Sequence, residues 1–414
     1  MGGLLDAGDT AADELRVVTV AGNGKGLDDP ETAKLINWGA ATDWGHPRFD
    51  GELPGTLGHP TEAPIPDPFA IFVAKPTRPG QSADPIIACA APGVLMMTSR
   101  GRTDLGVPLH RPADLPYAEP YDIEVDVRES DPALVRRSRL LDTMYVVERL
   151  GHRIRAITLH RIPESELASQ DDPAVGGLGM VLAGTGEPGP PRPIVRGRDA
   201  QFNEPHDACL IDGALIVCDT KNHVLRRIDL RDPLHTVTVF GDQQWDGQRL
   251  RGPRCIVPDD DPKNPGGFVI AYREANRLFV LNADGRVIRH LAGSGQRGYT
   301  GDGGPATAAA LGGPKGLAIS PSEDGPSDIY FADTENNVIR RIERASGTIS
   351  TIVGDGVRGD GPDGPARSCR LGRPHGIAFD GTVLLIADTL NNKVRAVDTA
   401  ASASPASGRR QPAD

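Results

Sequence analysis

Short runs in which apolar and polar positions alternate recur along the chain, and none keeps a helical period. The unit from Gly347 to Asp398 shows the pattern. Thr348–Val353, Gly376–Phe379, Val383–Ala387 and Lys393–Val397 read as strands, with glycine, proline and an Asn-Asn turn filling the gaps. Closely similar text stands one unit earlier, where VIRHLAGSGQRGYTGDGGPATAAALGGPKGLAIS leads into DIYFADTENNVIRRI. A repeat of about fifty residues holding four short strands predicts a β-propeller blade, in which each small sheet buries its faces against its neighbours.

Counting such units predicts an all-β, six-bladed propeller over residues 15–399. The last blade has Gly376–Phe379, Val383–Ala387 and Lys393–Val397 but no outer strand after them; ASASPASGRRQPAD follows, and residues 400–414 read as a disordered tail. The missing strand is expected from the other end, because LRVVTVAGNG at Leu15–Gly24 matches GTISTIVGDG in pattern and closing glycines. The N-terminal strand would then complete the last blade, close the ring and remove a sheet edge. Blade five runs from Lys315 to Arg341 with an outer strand at Thr348–Val353. Blade four runs from Arg254 through Phe268–Ala271 and Arg277–Leu281 to Val287–Ala292, and blade three from His206 to Phe240. Blade two runs from Tyr121 to Ala183. Blade one rests on Phe69–Ala74, Ile86–Ala90 and Val94–Thr98, with no clear outer strand. Residues 1–14 read as disordered. The proline-rich insertion 25–67 is long enough to cap a site, which would bring Trp44 onto a substrate.

Composition agrees with a turn-rich chain: 50 glycines and 37 prolines among 414 residues, against 4% aromatics. A formal net charge of −11 argues against nucleic acid or an anionic membrane as the main partner. With no apolar run of about 18 residues and an acidic start, MGGLLDAGDTAADEL, a cytoplasmic location is expected. Five scattered cysteines without a CxxC read as small apolar fillers, not as a disulfide framework. Nothing in the sequence bears on oligomeric state.

A second regularity joins strands within a blade. Asp219, Asp333 and Asp388 each end a strand, an asparagine follows three residues on, and Arg226, Arg340 and Arg395 sit on the next strand. Acid and arginine face each other across a hairpin and are expected to pair. Blade two keeps Glu148 and Arg155. Blade four has Tyr272 and Phe279, so both partners vanish together. These acids read as structural.

The ADTxNNxIR text and the GDGGPA-type connectors resemble NHL-repeat proteins, over about Leu15–Thr399 and most closely in the last three repeats. The resemblance implies a six-bladed propeller. Members include the peptidyl-α-hydroxyglycine lyase that completes peptide amidation, and streptogramin lyases and strictosidine-synthase-like enzymes have related propellers. The fold alone assigns no chemistry.

The candidate chemistry lies where each innermost strand begins. There the chain reads Pro68-Phe69, Pro120-Tyr121, Pro205-His206, Pro253-Arg254, Pro314-Lys315 and Pro374-His375. A purely structural position would not hold Phe, Tyr, His, Arg, Lys and His in turn. These side chains are expected to converge at one channel mouth. In the lyase family such Pro-His pairs supply zinc ligands, which the resemblance carries onto His206 and His375. No third histidine matches, and zinc at a catalytic site takes three protein ligands. A divalent metal, zinc or calcium, is therefore one reading of the pair. General acid–base work by two imidazoles is another, and histidines held only by backbone or water are the plain alternative. Arg254 and Lys315 would form a cationic wall for a carboxylate, phosphate or developing oxyanion. Tyr121 would donate a proton, Phe69 would wall the site, and Glu204 before its proline would contact substrate.

The glycine-rich connectors lack the GKS/GKT and the following helix of a phosphate loop, and no dinucleotide fingerprint occurs, so neither a nucleotide nor a flavin is expected. His152 and His223 occupy the same turn position as Asn337 and Asn392 and read as turn residues. The sequence thus predicts an enzyme acting on a small anionic or polar metabolite by lyase, isomerase, cyclase or hydrolase chemistry. Its rival is a non-catalytic scaffold.

Overall fold

In the computed structural model, the described residues are 15–21, 24, 68–73, 85–89, 95–97, 120–126, 140–161, 175–321 and 327–402. They form an all-β propeller whose sheets are named here by their channel residue. Five sheets have four or five strands. The Tyr121 sheet runs Pro120–Asp126, Leu140–Glu148, Arg153–Arg161, Val175–Ala183 in spatial order. The Arg254 sheet runs Pro253–Pro258, Phe268–Tyr272, Arg277–Leu281, Val287–Ala292, and the Lys315 sheet begins at Leu317–Ile319 and ends at Thr348–Val353. The His206 sheet, from Pro205–Ile211 to Val237–Phe240, gains a short edge strand, Ile194–Val195. In the His375 sheet, Arg16–Ala21 lies antiparallel to Lys393–Asp398, with Val17 opposite Val397 and Thr19 opposite Arg395.

Of the six blades expected, five form among the described residues. In the place of the first, the described residues hold three strands, Pro68–Val73, Pro85–Cys89 and Leu95–Met97. The sequence after Met97, TSRGRTDLGVPLHRPADLP, is interrupted by glycine and proline. The terminal segments 1–14 and 403–414 and the insertion 25–67, with Trp44, lie outside the described residues. A 3-10 turn, Thr399–Ser402, continues the chain past the last strand. Among the described residues no helix is long and apolar enough to cross a membrane.

Consecutive sheets share apolar layers. Val269, Leu278 and Val280 of the Arg254 sheet pack with Leu317, Phe331 and Ile342 of the Lys315 sheet, and Val147 and Ile154 of the Tyr121 sheet pack with Leu215 and Val217 of the His206 sheet. Two further devices tie neighbours together where the inner strands begin. Thr220, Thr334 and Thr389, each following the strand-ending aspartate, donate their hydroxyls to the proline carbonyls of the next sheet, Pro253, Pro374 and Pro68, each at 2.7 Å. The glycines after Lys315 and His375 permit close approach of inner strands. A Cβ on Gly316 would lie 2.1 Å from the His375 carbonyl oxygen, and one on Gly376 would lie 2.5 Å from that of Phe69.

The acid–arginine pairs form as expected, within a larger buried net. The Asp219 carboxylate accepts from the Asn203 amide at 2.8 Å, Asn222 at 2.9 Å and Arg226 at 3.3 Å. Asp333 pairs with Arg340 at 3.5 Å, Asp388 with Arg395 at 2.7 Å and Glu148 with Arg155 at 2.5 Å. Burial pushes the Asp219 and Asp333 carboxyls up to about 6, a shift that elsewhere marks reactive acids. Here the carboxylates are committed to the blade, which keeps them structural. In the Arg254 sheet the pair is replaced by Tyr272 against Phe279, ring centroids 5.8 Å apart, with the Tyr272 hydroxyl donating to Gln243. Buried Cys209, Cys218, Cys255 and Cys369 are free thiols, and burial raises the pKa of Cys218, Cys255 and Cys369.

Removing one partner of a buried ion pair strands the other charge, whereas removing both does not. Asp219→Ala is expected to destabilise the protein by about 3–5 kcal/mol. The double change Asp219→Leu with Arg226→Met should cost clearly less, as read from urea unfolding midpoints.

Candidate functional site

The six proline-announced side chains meet. Phe69, Tyr121, His206, Arg254, Lys315 and His375 line one cavity of about 390 Å³. The backbone explains why they point inward. At the four such positions among the described residues, the residue before the proline is left-handed, with φ of 45° at Glu204, 69° at Gly252, 61° at Gly313 and 50° at Arg373. Its amide is held by a turn residue of the preceding sheet. Glu204 N–H donates to His152 Nδ1, Gly252 to His223 Nδ1, Gly313 to Asn276 Oδ1 and Arg373 to Asn337 Oδ1, at 2.9–3.1 Å. His152, His223, Asn276 and Asn337 are themselves left-handed, with φ of 48–58°, so His152 and His223 are turn residues as expected. The strand register then slips by one residue after the proline, which places Phe69, Tyr121, His206 and Arg254 in β-bulges. A bulge turns its extra side chain away from the sheet alternation, here into the cavity.

The two histidines are held alike. The ring Nδ1 of His206 donates to the Glu204 carbonyl and that of His375 to the Arg373 carbonyl, both at 2.8 Å. With Nδ1 protonated, Nε2 is left as the acceptor. Lys315 Nζ donates to His375 Nε2 at 2.6 Å. Tyr121 lies between the imidazoles, its ring centroid 4.7 Å from that of His206 and 6.1 Å from that of His375, and it stacks on Phe69 at 4.5 Å. The Arg254 guanidinium lies over the Tyr121 ring, 4.6 Å from its centroid, and donates to the Tyr121 hydroxyl.

Two expected roles change. Lys315 does not contribute a permanent cation. It is 5% exposed, and burial, with Arg254 and Arg373 beside it, lowers its pKa to about 6, so at neutral pH it is largely an amine. Glu204 does not present a free carboxylate. That group pairs with Arg149 at 3.1 Å, while the Glu204 carbonyl orients His206. Trp44 lies outside the described residues. Burial, together with Arg254 beside His206 and with Lys315 and Arg254 beside His375, holds both imidazoles well below their usual pKa, neutral at pH 7.

These residues do not fit a divalent cation. Each Nδ1 is committed to a carbonyl, the His375 Nε2 already accepts from Lys315, and Arg254 stands beside both rings. Among the described residues no group of three His, Cys, Asp or Glu side chains could hold a metal.

The site does fit an anion. Arg149, Arg273 and Arg373 also line it, and each is paired: Arg149 with Glu204, and both Arg273 and Arg373 with Glu335 at 3.3 and 2.6 Å. Among the described residues Arg254 has no carboxylate partner, and its Nε is buried without a hydrogen bond. Arg149 and Arg273 were not expected. They occupy the position after the strand end where other blades have Thr220, Thr334 and Thr389, and that departure from threonine was the available signal.

No family profile matches the chain. NHL repeat-containing protein 2 of Homo sapiens is 27% identical over 254 residues, 53% of this chain and 34% of that protein, and the Bos taurus protein matches to the same extent. The fold is a β-propeller, and the sequence is similar to NHL repeat-containing proteins. The chain therefore matches only about a third of the length of those relatives. Among solved structures, an auxiliary nutrient binding protein from Bacteroides ovatus superposes with a TM-score of 0.60 at 14% identity, covering 93% of this chain and 76% of the other. That likeness concerns the fold alone.

A lysine whose charged form is disfavoured by folding contributes stability that is present above its unfolded pKa, near 10.5, and lost as pH falls through about 6. Wild type should therefore lose stability relative to Lys315→Met as pH is lowered from 10 to 5. Thermal unfolding of the two proteins across that range checks the sign.

Proposed function

We propose that the protein binds a small molecule bearing a carboxylate or phosphate at the channel mouth and moves protons on it, in lyase, isomerase, cyclase or hydrolase chemistry. The observation that carries this reading is Arg254: a guanidinium in the cavity with no counter-ion among the described residues, beside three neutral nitrogen bases. An anion would supply the missing charge and accept two parallel hydrogen bonds. His206 Nε2 and His375 Nε2 are acceptors of fixed orientation, suited to taking a proton from a bound substrate, and the Tyr121 hydroxyl, beside Arg254, is placed to return one. Arg254 would hold the charge that develops on oxygen. The cavity volume suits a metabolite, not a macromolecule.

The same reading treats the three-stranded Phe69 sheet as the sixth blade, and the pairing of Arg16–Ala21 with Lys393–Asp398 as the clasp that closes the ring. Its support is the Thr389–Pro68 bond, which repeats the Thr220–Pro253 and Thr334–Pro374 bonds at equal length. A cytoplasmic location is part of the proposal, and the four buried free thiols are compatible with a reducing compartment.

Calorimetry against small carboxylates and phosphates tests it. Arg254→Gln is expected to weaken binding by about 10–100-fold. His206→Gln and His375→Gln should keep the ligand and lose about a hundredfold or more of its turnover. Undiminished binding by Arg254→Gln overturns the anion site. Binding without turnover in wild type leaves a ligand-binding scaffold.

A further inference from the structure

Among the described residues Lys315 is the one buried amine lining the cavity, and the proton-transfer reading gives it no work that His375 does not already do. Its Nζ donates to His375 Nε2, and that direction is set because His375 Nδ1 donates to the Arg373 carbonyl. One N–H of the amine is thus pinned toward the imidazole, and the nitrogen lone pair is left to point elsewhere. The same contact places a base against the nitrogen from which a proton must leave during addition to a carbonyl. Arg254, one sheet away, lines the same cavity and has no counter-ion among the described residues. Lys315 and His375 are 5% and 8% exposed, which limits water at the nitrogen.

We propose that Lys315 is a nucleophilic amine that forms an iminium with a 2-oxo acid, whose carboxylate Arg254 binds. The inference rests on the anion site described above and names its substrate class. The Nζ–carbon bond forms as the carbonyl π pair moves to oxygen. A proton passes from nitrogen to His375 Nε2 and on to that oxygen, giving the neutral carbinolamine. A further proton from solvent then lets the hydroxyl leave as water while the nitrogen lone pair closes the C=N bond. No oxidant or reductant is consumed. The iminium draws electrons from the neighbouring C3, so a proton can be lost there with its bonding pair forming an enamine, and His206 is the second base on the cavity wall. Depression of the Lys315 basicity by burial and by Arg254 keeps the nucleophilic form populated at neutral pH.

The test is reductive trapping of the whole protein with sodium cyanoborohydride at neutral pH, with pyruvate, glyoxylate and 2-oxoglutarate in turn, read by intact mass and peptide mapping. One reduced adduct per chain, mapped to Lys315, is expected. Lys315→Arg should abolish it, and His375→Gln should slow it about a hundredfold. Mapping on wild type decides the matter even if a variant fails to fold. Binding of lactate, which has the carboxylate but no carbonyl, is measured alongside by calorimetry. Lactate binding without an adduct at Lys315, or label spread over exposed lysines, overturns the amine role and leaves the anion site standing. Failure of lactate and of all three oxo acids to bind overturns both.

Discussion

The arrangement of the cavity depends on a left-handed residue placed before a proline and held by the neighbouring sheet. Its amide is taken by a turn side chain of the preceding sheet, and at Glu204 and Arg373 its carbonyl accepts from the histidine two residues on. A proline disfavours the right-handed helical conformation in the residue before it, and a left-handed backbone is costly outside glycine. Glu204 and Arg373 adopt it nonetheless, because the His152 and Asn337 side chains capture their amides. Their carbonyls then set the tautomers of His206 and His375. One contact between sheets thus fixes both backbone shape and imidazole chemistry.

Electrostatics builds on that frame. Cations from several sheets converge on one small volume, and Glu204 and Glu335 neutralise only some of them. The remaining field, together with burial, strips the proton from the groups able to lose one, so Lys315 and both histidines are bases at neutral pH while Arg254 keeps its charge. Charge surplus and proton poverty have the same origin. This is the reverse of a metal centre, in which carboxylates and imidazole lone pairs collect round a cation.

The blades themselves are held by a different logic. Aspartate, asparagine and arginine at fixed spacing satisfy backbone groups that the turn leaves open, as at Asn203, Gly312 and Gly372, whose amides donate to Asp219, Asp333 and Asp388. The Arg254 sheet shows that the charge is dispensable, since Tyr272 and Phe279 fill the same place with rings. Rigid blades on either solution keep the inner strands in register.

Repeats, strand pattern and acid–arginine pairs were legible in the sequence because each is local: the turn residues and their partners lie within a few positions of one another. The ring of Phe69, Tyr121, His206, Arg254, Lys315 and His375 was legible too, because a repeated proline marks the place and the residue after it varies. The roles of those residues were not. That Arg254 lacks a counter-ion among the described residues depends on Glu335 being spent on Arg273 and Arg373, contacts across tens of residues. That Lys315 is an amine rather than a cation depends on burial and on charges supplied by other sheets. Sequence by itself determined which side chains reach the axis, since backbone geometry repeats with the chain. Only the tertiary structure decided their protonation and pairing, because those are sums over neighbours that the chain brings together last.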